Sequence, residues 1–180
     1  MELKDLHRQA GKTFVYITHS LEEAMVMSDR IGIMKAGRLV QSGPPEQIDD
    51  RPNSRFVSQF MGEVNILDVE RVQPTVYRCA SLNRELTGPA ADARGSGNGS
   101  GHLIIRPEKI RIVSDADAVD NSVPGRIVSE YLLGSRIQYH VDTNGQVFIL
   151  EKTRDRQDAE RRSPDIVIGW NGADAIFVSE

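Results

Sequence analysis

A single cysteine, Cys79, excludes an intramolecular disulfide and leaves a cysteine-based metal centre without its ligands, so its expected role is that of a small buried hydrophobe. No apolar run is long enough to span a bilayer as a helix, and the chain does not open on a signal peptide. Aromatic residues make up 6% of the sequence, and Lys plus Arg (22) are outnumbered by Asp plus Glu (26). That composition opposes nucleic-acid binding, which calls for a basic stripe interleaved with stacking side chains. The densest basic stretch, Lys152 to Arg162, is broken by Asp155, Asp158 and Glu160 and reads as a solvated loop or short helix. What remains, 39% hydrophobic and 27% charged over 180 residues, suits a cytosolic globular protein of one or two small domains.

The strongest local signal is Thr18-His19-Ser20, at the end of the apolar run Phe14-Val15-Tyr16-Ile17 and just before Leu21-Glu22-Glu23-Ala24. The spacing predicts a buried strand that delivers His19 to its carboxyl end, where open α/β sheets place ligand-handling groups. A helix follows, with Ser20 and Glu23 at capping-box spacing and Leu21, Ala24, Met25 and Ser28 on one face. A neutral imidazole there can donate one hydrogen bond to an anionic oxygen while its other nitrogen is held. The competing reading is a histidine packed at a strand end with both nitrogens satisfied. Next come two short strands, Ile31 to Met34 and Leu39 to Gly43, joined by the turn Lys35-Ala36-Gly37-Arg38. A helix with proline in its first turn begins at Pro44-Pro45, and Phe56, Val57, Phe60 and Met61 mark another.

Gly11-Lys12-Thr13 imitates part of a phosphate-binding loop. The full pattern, G-x-x-x-x-G-K-[ST], follows a strand and opens a helix, so that backbone N–H groups face the phosphates. Here Leu6 stands where the first glycine belongs, and the order is inverted: Leu3, Leu6 and Ala10 are helically spaced, Gly11 stops that helix, and a strand is expected after it. The tripeptide is therefore read as a turn.

Near Gly62 the pattern changes from helical spacing to short alternating strands, dividing the chain into 1–62 and 63–180. Nine strands are expected beyond it: residues 64–69, 72–78, 103–106, 109–113, 125–132, 136–142, 146–151, 165–168 and 175–178. Many short strands with Gly and Pro turns indicate a small β-barrel or sandwich. Asn144-Gly145 is a strong hairpin signal, since both central residues of that turn need positive φ. The run Gly95 to Gly101 reads as a mobile loop, and Pro107 as a strand break. Gly134 is expected to make a bend or bulge that lets a strand leave the barrel and re-enter or lets another chain approach closely, the functional alternative being a loop that contacts a small regulatory ligand. His102 and His140 have no carboxylate or cysteine at ligand spacing, so no metal site is expected.

Residues 14–62 resemble the carboxyl-terminal end of the nucleotide-binding domain of ABC transporter ATPases, in the importer subclass that serves polyamines, iron and sugars. Ile105-Arg106-Pro107-Glu108-Lys109-Ile110, Tyr131-Leu132-Leu133-Gly134-Ser135 and Asp174 to Val178, preceded by Trp170, resemble the TOBE domain attached to those subunits. The resemblance implies an α/β carboxyl-terminal fragment of a P-loop NTPase domain, followed by an all-β OB-like TOBE barrel. It assigns His19 the role of the switch histidine, which contacts the γ-phosphate of ATP and helps hold the attacking water. Ser20 stands where many relatives have Asp. ATP and Mg2+ are expected in the complete subunit and neither on this chain alone, because the P-loop, the Leu-Ser-Gly-Gly-Gln signature and the magnesium-binding Asp-Glu are not in it. The chain alone is expected to be inactive, since phosphoryl transfer depends on positioning and charge neutralisation by all those parts. The implied partners are a second ATPase subunit in a homodimer, transmembrane permeases and, indirectly, a solute receptor. The implied location is the cytoplasmic face of a bacterial inner membrane, and the solute class a polyamine. The alternative is a free-standing OB-like module for a small ligand or oligonucleotide, without ATPase activity.

Overall fold

The computed structural model describes residues 3–90, 99–114, 118–154 and 163–179, and the chain forms two compact units, residues 1–61 and 62–180. In the first, α1 (Leu3–Ala10) ends at Gly11, whose φ of +58° lets its N–H reach the His7 carbonyl at 3.2 Å. Residues 11–13 thus close a helix, and the next helix, α2 (Leu21–Met27), begins well after them. The hairpin β1 (Ile31–Lys35) and β2 (Arg38–Gly43) turns at Ala36 and Gly37, both at positive φ (49° and 77°). Next come α3 (Pro45–Asp50), with proline in its first turn, and α4 (Arg55–Phe60), capped by the Ser54 hydroxyl. Ile31, Ile33, Ile48, Val57 and Met61 form the buried core.

The strand expected at Phe14–Ile17 does not form. A strand is completed by hydrogen bonds to a neighbour, and among the described residues none pairs with it. Val15 and Ile17, expected in a core, are 87% and 93% exposed. Among the described residues the sheet of this unit is a two-stranded antiparallel hairpin, and no parallel pairing of the kind an α/β layer contains is present.

Among the described residues the second unit is built of β-strands, as expected, with ten where nine were anticipated. They are β3 (Asn65–Gln73), β4 (Val76–Cys79), β5 (Arg84–Thr87), β6 (Ser100–Ile105), β7 (Arg111–Val113), β8 (Asn121–Leu133), β9 (Arg136–Thr143), β10 (Gln146–Thr153), β11 (Asp165–Trp170) and β12 (Ala175–Ser179). The additional strand is β5. They form two five-stranded antiparallel sheets, ordered β12-β6-β3-β4-β5 and β10-β9-β8-β11-β7. Inward-facing alternation produces a shared core: Leu67, Val69, Tyr77, Leu103 and Ile105 from one sheet meet Val123, Tyr139, Val141, Phe148 and Trp170 from the other. Cys79 is buried within it, as expected.

This unit contains one topology twice, a relation the sequence pattern did not reveal. In each half the first strand pairs with the second and fourth, and the second with the third; the fifth crosses over to pair with the fourth strand of the other half. The registers agree residue by residue. Leu67 faces Leu103 as Val123 faces Ile168, and Phe177 faces Leu103 as Ile112 faces Ile168. Both first hairpins carry a bulge at the same place, between Arg71 and Gln73 and between Ile127 and Ser129. A single 3-10 turn precedes each crossing strand, Pro107–Lys109 and Gly172–Asp174, so Pro107 breaks a strand where anticipated.

Two buried asparagines, the first residues of β3 and β8, tie the sheets together. Asn65 Oδ1 accepts from Ile149 N at 2.7 Å while its Nδ2 donates to Ile149 O at 2.8 Å. Asn121 does the same to Thr87, with both bonds at 2.8 Å. Each side-chain amide thereby takes the place of a strand residue, satisfying an N–H and a C=O that would otherwise be left at a sheet edge.

The two halves differ in the length of their first hairpin. The β3–β4 turn follows Gln73, whereas β8–β9 continues to a turn at Gly134 and Ser135. Gly134, at φ +71°, lies in that turn, so of the expected bend or bulge it is the bend that occurs, and the bulge of this hairpin lies between Ile127 and Ser129. Asn144 and Gly145 make the β9–β10 turn at φ 58° and 91°, as their sequence requires. The proposed mobile loop lies largely outside the described residues, at 95–98, as does most of the basic stretch, at 155–162.

Candidate functional site

His19 sits on the segment between α1 and α2, one residue before the Ser20 cap. Its imidazole is exposed and makes no hydrogen bond among the described residues. The neighbours, by contrast, are tied to one another. Glu23 N donates to Ser20 Oγ at 3.2 Å, which is half of the expected capping box. In the other half the glutamate would return to the Ser20 N–H, but that group donates to Thr18 Oγ1 at 2.9 Å. Freed from this duty, Glu23 Oε2 accepts from Tyr16 OH at 2.7 Å and from Thr18 Oγ1 at 2.8 Å. The Tyr16 and Thr18 hydroxyls hold the Glu23 carboxyl below its ordinary value, and the same hydrogen bond to Glu23 raises the Tyr16 phenol.

A cleft of about 480 Å³ opens beside the histidine, lined by Thr18, His19, Ser20, Arg30, Ile33 and Met34 among others. Its lining is mainly apolar, with the polar groups supplied by His19, Arg30, Tyr16 and the Thr18, Ser20 and Ser28 hydroxyls. That set can hold or orient an anionic oxygen, but it contains no phosphate-cradling loop, so on its own it does not complete a nucleotide site. The sequence reading singled out His19 and missed Tyr16 and Glu23 as its supports. Both stand in the same motif, three residues before and four after the histidine, and the capping-box pattern drew attention to Glu23 for a different bond.

In the second unit His102, 5% exposed, binds Asp68 Oδ1 through Nδ1 at 2.8 Å across neighbouring strands. His140 lies edge-on to Tyr131 with ring centres 5.0 Å apart. Among the described residues no three His, Cys, Asp or Glu side chains gather as a metal site. A groove of about 550 Å³ runs past Ile110, Ile112 and Leu150, rimmed by Arg111, Arg136 and Glu151, with Arg136 Nη1 and Glu151 Oε1 paired at 2.7 Å. Tyr131, Leu132 and Leu133, in the motif marked from sequence, lie on the added length of the β8–β9 hairpin and are 47%, 61% and 46% exposed. No helix among the described residues is long and apolar enough to cross a membrane.

Residues 103–178, which lie within the second unit, match the TOBE domain family. The chain as a whole matches the carboxyl-terminal part of ABC-type import ATP-binding subunits together with that domain, the family that the Thr-His-Ser and Arg-Pro-Glu motifs indicated. Relatives include the Fe(3+) ions import ATP-binding protein FbpC of Agrobacterium fabrum, 32% identical over 94% of this chain and 46% of its own length. The spermidine/putrescine import ATP-binding protein PotA of Rubrobacter xylanophilus is 32% identical over 99% of this chain and 48% of its own length. PotA of Methylococcus capsulatus is 40% identical over 74% of this chain and 35% of its own. The chain thus spans about half the length of the first two. Among solved structures, the cytoplasmic molybdate-binding protein ModG aligns over 72% of this chain and 99% of its own, with a TM-score of 0.53 and 7% identity, a likeness of fold alone.

Proposed function

We propose that the chain is the carboxyl-terminal part of the ATP-binding, energy-coupling subunit of an ABC-type solute importer, of the polyamine class. The observation that carries this reading is the match to import ATP-binding proteins along nearly the whole chain, in both units at once. The polyamine class draws its support from the spermidine/putrescine relative that is 40% identical over 74% of this chain, while over nearly the whole chain polyamine and iron relatives are alike at 31–34%. In this reading ATP and Mg2+ belong to the complete subunit. His19 supplies one hydrogen-bonding nitrogen to the γ-phosphate and orients the water beside it, and its exposed imidazole fits that task because it makes no hydrogen bond among the described residues. The TOBE domain holds two such subunits together as a homodimer, which works with membrane permeases and a solute receptor on the cytoplasmic face of the membrane.

ATP hydrolysis is to be compared between the 180-residue chain and the same chain joined to the amino-terminal half of an import subunit. The reading expects the short chain to be inert, the joined one to be active with Mg2+, and His19→Ala to abolish turnover. Hydrolysis by the short chain would overturn it. A second reading, a free-standing OB-like module for a small ligand, is favoured by the alignment of the molybdate-binding protein over 99% of its length. Oxyanion binding by residues 62–180, together with an inert joined chain, would select that reading.

A further inference from the structure

We propose that Thr18 and Glu23 are positioning residues that fix the His19 loop from both sides, leaving the imidazole free for an external oxygen. The inference rests on the functional reading of His19 and concerns how this chain presents it.

The Thr18 hydroxyl donates to Glu23 Oε2 and at the same time accepts from Ser20 N, while Ser20 Oγ accepts from Glu23 N. These three bonds close a ring through Thr18, Ser20 and Glu23 with the His19 peptide inside it. Tyr16 OH adds a further bond to the same carboxylate oxygen. Each residue immediately flanking His19 is therefore anchored to α2, and nothing in the ring uses the imidazole. A histidine held by its own ring nitrogen would have that nitrogen occupied; one held by its neighbours keeps both nitrogens available. A threonine suits this place because one oxygen must both donate and accept. Glutamate suits it because an ionised carboxylate accepts from two hydroxyls at once. The lowered carboxyl of Glu23 agrees with this arrangement.

The test is made by NMR on the 180-residue chain, reading amide exchange at Ser20 and the backbone and side-chain couplings of His19. Thr18→Val removes the central oxygen at nearly constant volume, and exchange at Ser20 is expected to rise about tenfold, with His19 couplings averaging toward a mixture of rotamers. Thr18→Ser restores both readouts, which a role in packing alone would not do. Glu23→Ala averages the His19 couplings, and Tyr16→Phe, which spares the ring, has a smaller effect. Amides of residues 31–43 report whether the unit stays folded. Should Thr18→Val disturb them, the comparison of Thr18→Ser with Tyr16→Phe in the folded state decides. Unchanged Ser20 exchange in Thr18→Val, or a larger effect in Tyr16→Phe than in Glu23→Ala, would overturn the proposal. If His19→Ala leaves hydrolysis by the joined chain intact, the reading of His19 fails while the ring stands or falls on the NMR result.

Discussion

The two units treat apolar surface in opposite ways. In residues 62–180 two sheets close over one core, and asparagine clips satisfy the strand edges that would otherwise face outward. In residues 1–61 the core is five side chains, while Phe14, Val15, Tyr16 and Ile17 lie 42%, 87%, 50% and 93% exposed. The difference shows what hydrophobicity does and does not specify. An apolar run becomes a strand only where another strand offers hydrogen bonds, and residues 14–17 have none alongside among those described. The second unit carries its own partners, because its halves exchange their last strands.

The largest contrast is expected from core truncation. Trp170→Ala, at a fully buried position stacked on Phe148 at 5.6 Å, should destabilise the second unit by about 3–5 kcal/mol in chemical denaturation. Ile17→Ser, though also the loss of a large apolar side chain, should change stability by no more than about 0.5 kcal/mol and reduce self-association. Limited proteolysis followed by mass spectrometry should cut residues 1–61 before 62–180, and the reverse order would contradict the comparison.

Next in size are the asparagine clips. Asn65→Ala and Asn121→Ala each leave one N–H and one C=O of the opposite sheet without a partner, and each should cost about 1–3 kcal/mol. The two are expected to be similar, because they occupy equivalent places in the two halves. A large inequality would break the repeat as an energetic description while leaving it as a topological one. Lys109→Ala removes the pair with Asp174 at 3.7 Å, which joins equivalent 3-10 turns of the two halves. With both side chains partly exposed, it should cost less than about 1 kcal/mol and diminish further in salt.

The smallest effect is that of pH on the His19 loop. Glu23 is held below its ordinary value by the Tyr16 and Thr18 hydroxyls, so its contribution is fully present above the ordinary glutamate range and is lost as pH falls through the lowered value. Tyr16 is raised, chiefly by its hydrogen bond to Glu23, so its contribution is present below the ordinary tyrosine value and is lost as pH rises through the raised one. Exchange at the Ser20 amide should therefore be protected across neutral pH and lose protection at both ends, after correction for the intrinsic rate.

Much of the second unit was legible because its signals are local. Strand alternation, the Asn144-Gly145 turn and the break at Pro107 each act within a few residues, and all appear in the structure. The strand β5 was passed over because Arg84-Glu85-Leu86-Thr87 has one buried apolar side chain, and pairing with β4 makes it a strand. At Gly134 the choice between bend and bulge stayed open for a related reason. A positive-φ glycine serves a turn or a bulge equally well, and the register of β8 against β9 chooses between them. At the candidate site the motif draws attention to His19, but not to the ring of hydrogen bonds around it. The same Ser20–Glu23 spacing is compatible with a complete capping box, and the Thr18 hydroxyl diverts it.

From the chain of residues alone came the family, the division of character near Gly62, the hairpins and the single histidine of interest, all of which depend on local spacing and side-chain chemistry. The folded chain settled the rest: that residues 14–17 stay unpaired, that two equivalent halves exchange strands, and that Asn65 and Asn121 close the sheets. These depend on which distant backbone groups meet, as Asn65 meets Ile149 across 84 positions of sequence. A hydrogen-bonding group does not encode its partner; geometry assigns it when the core closes.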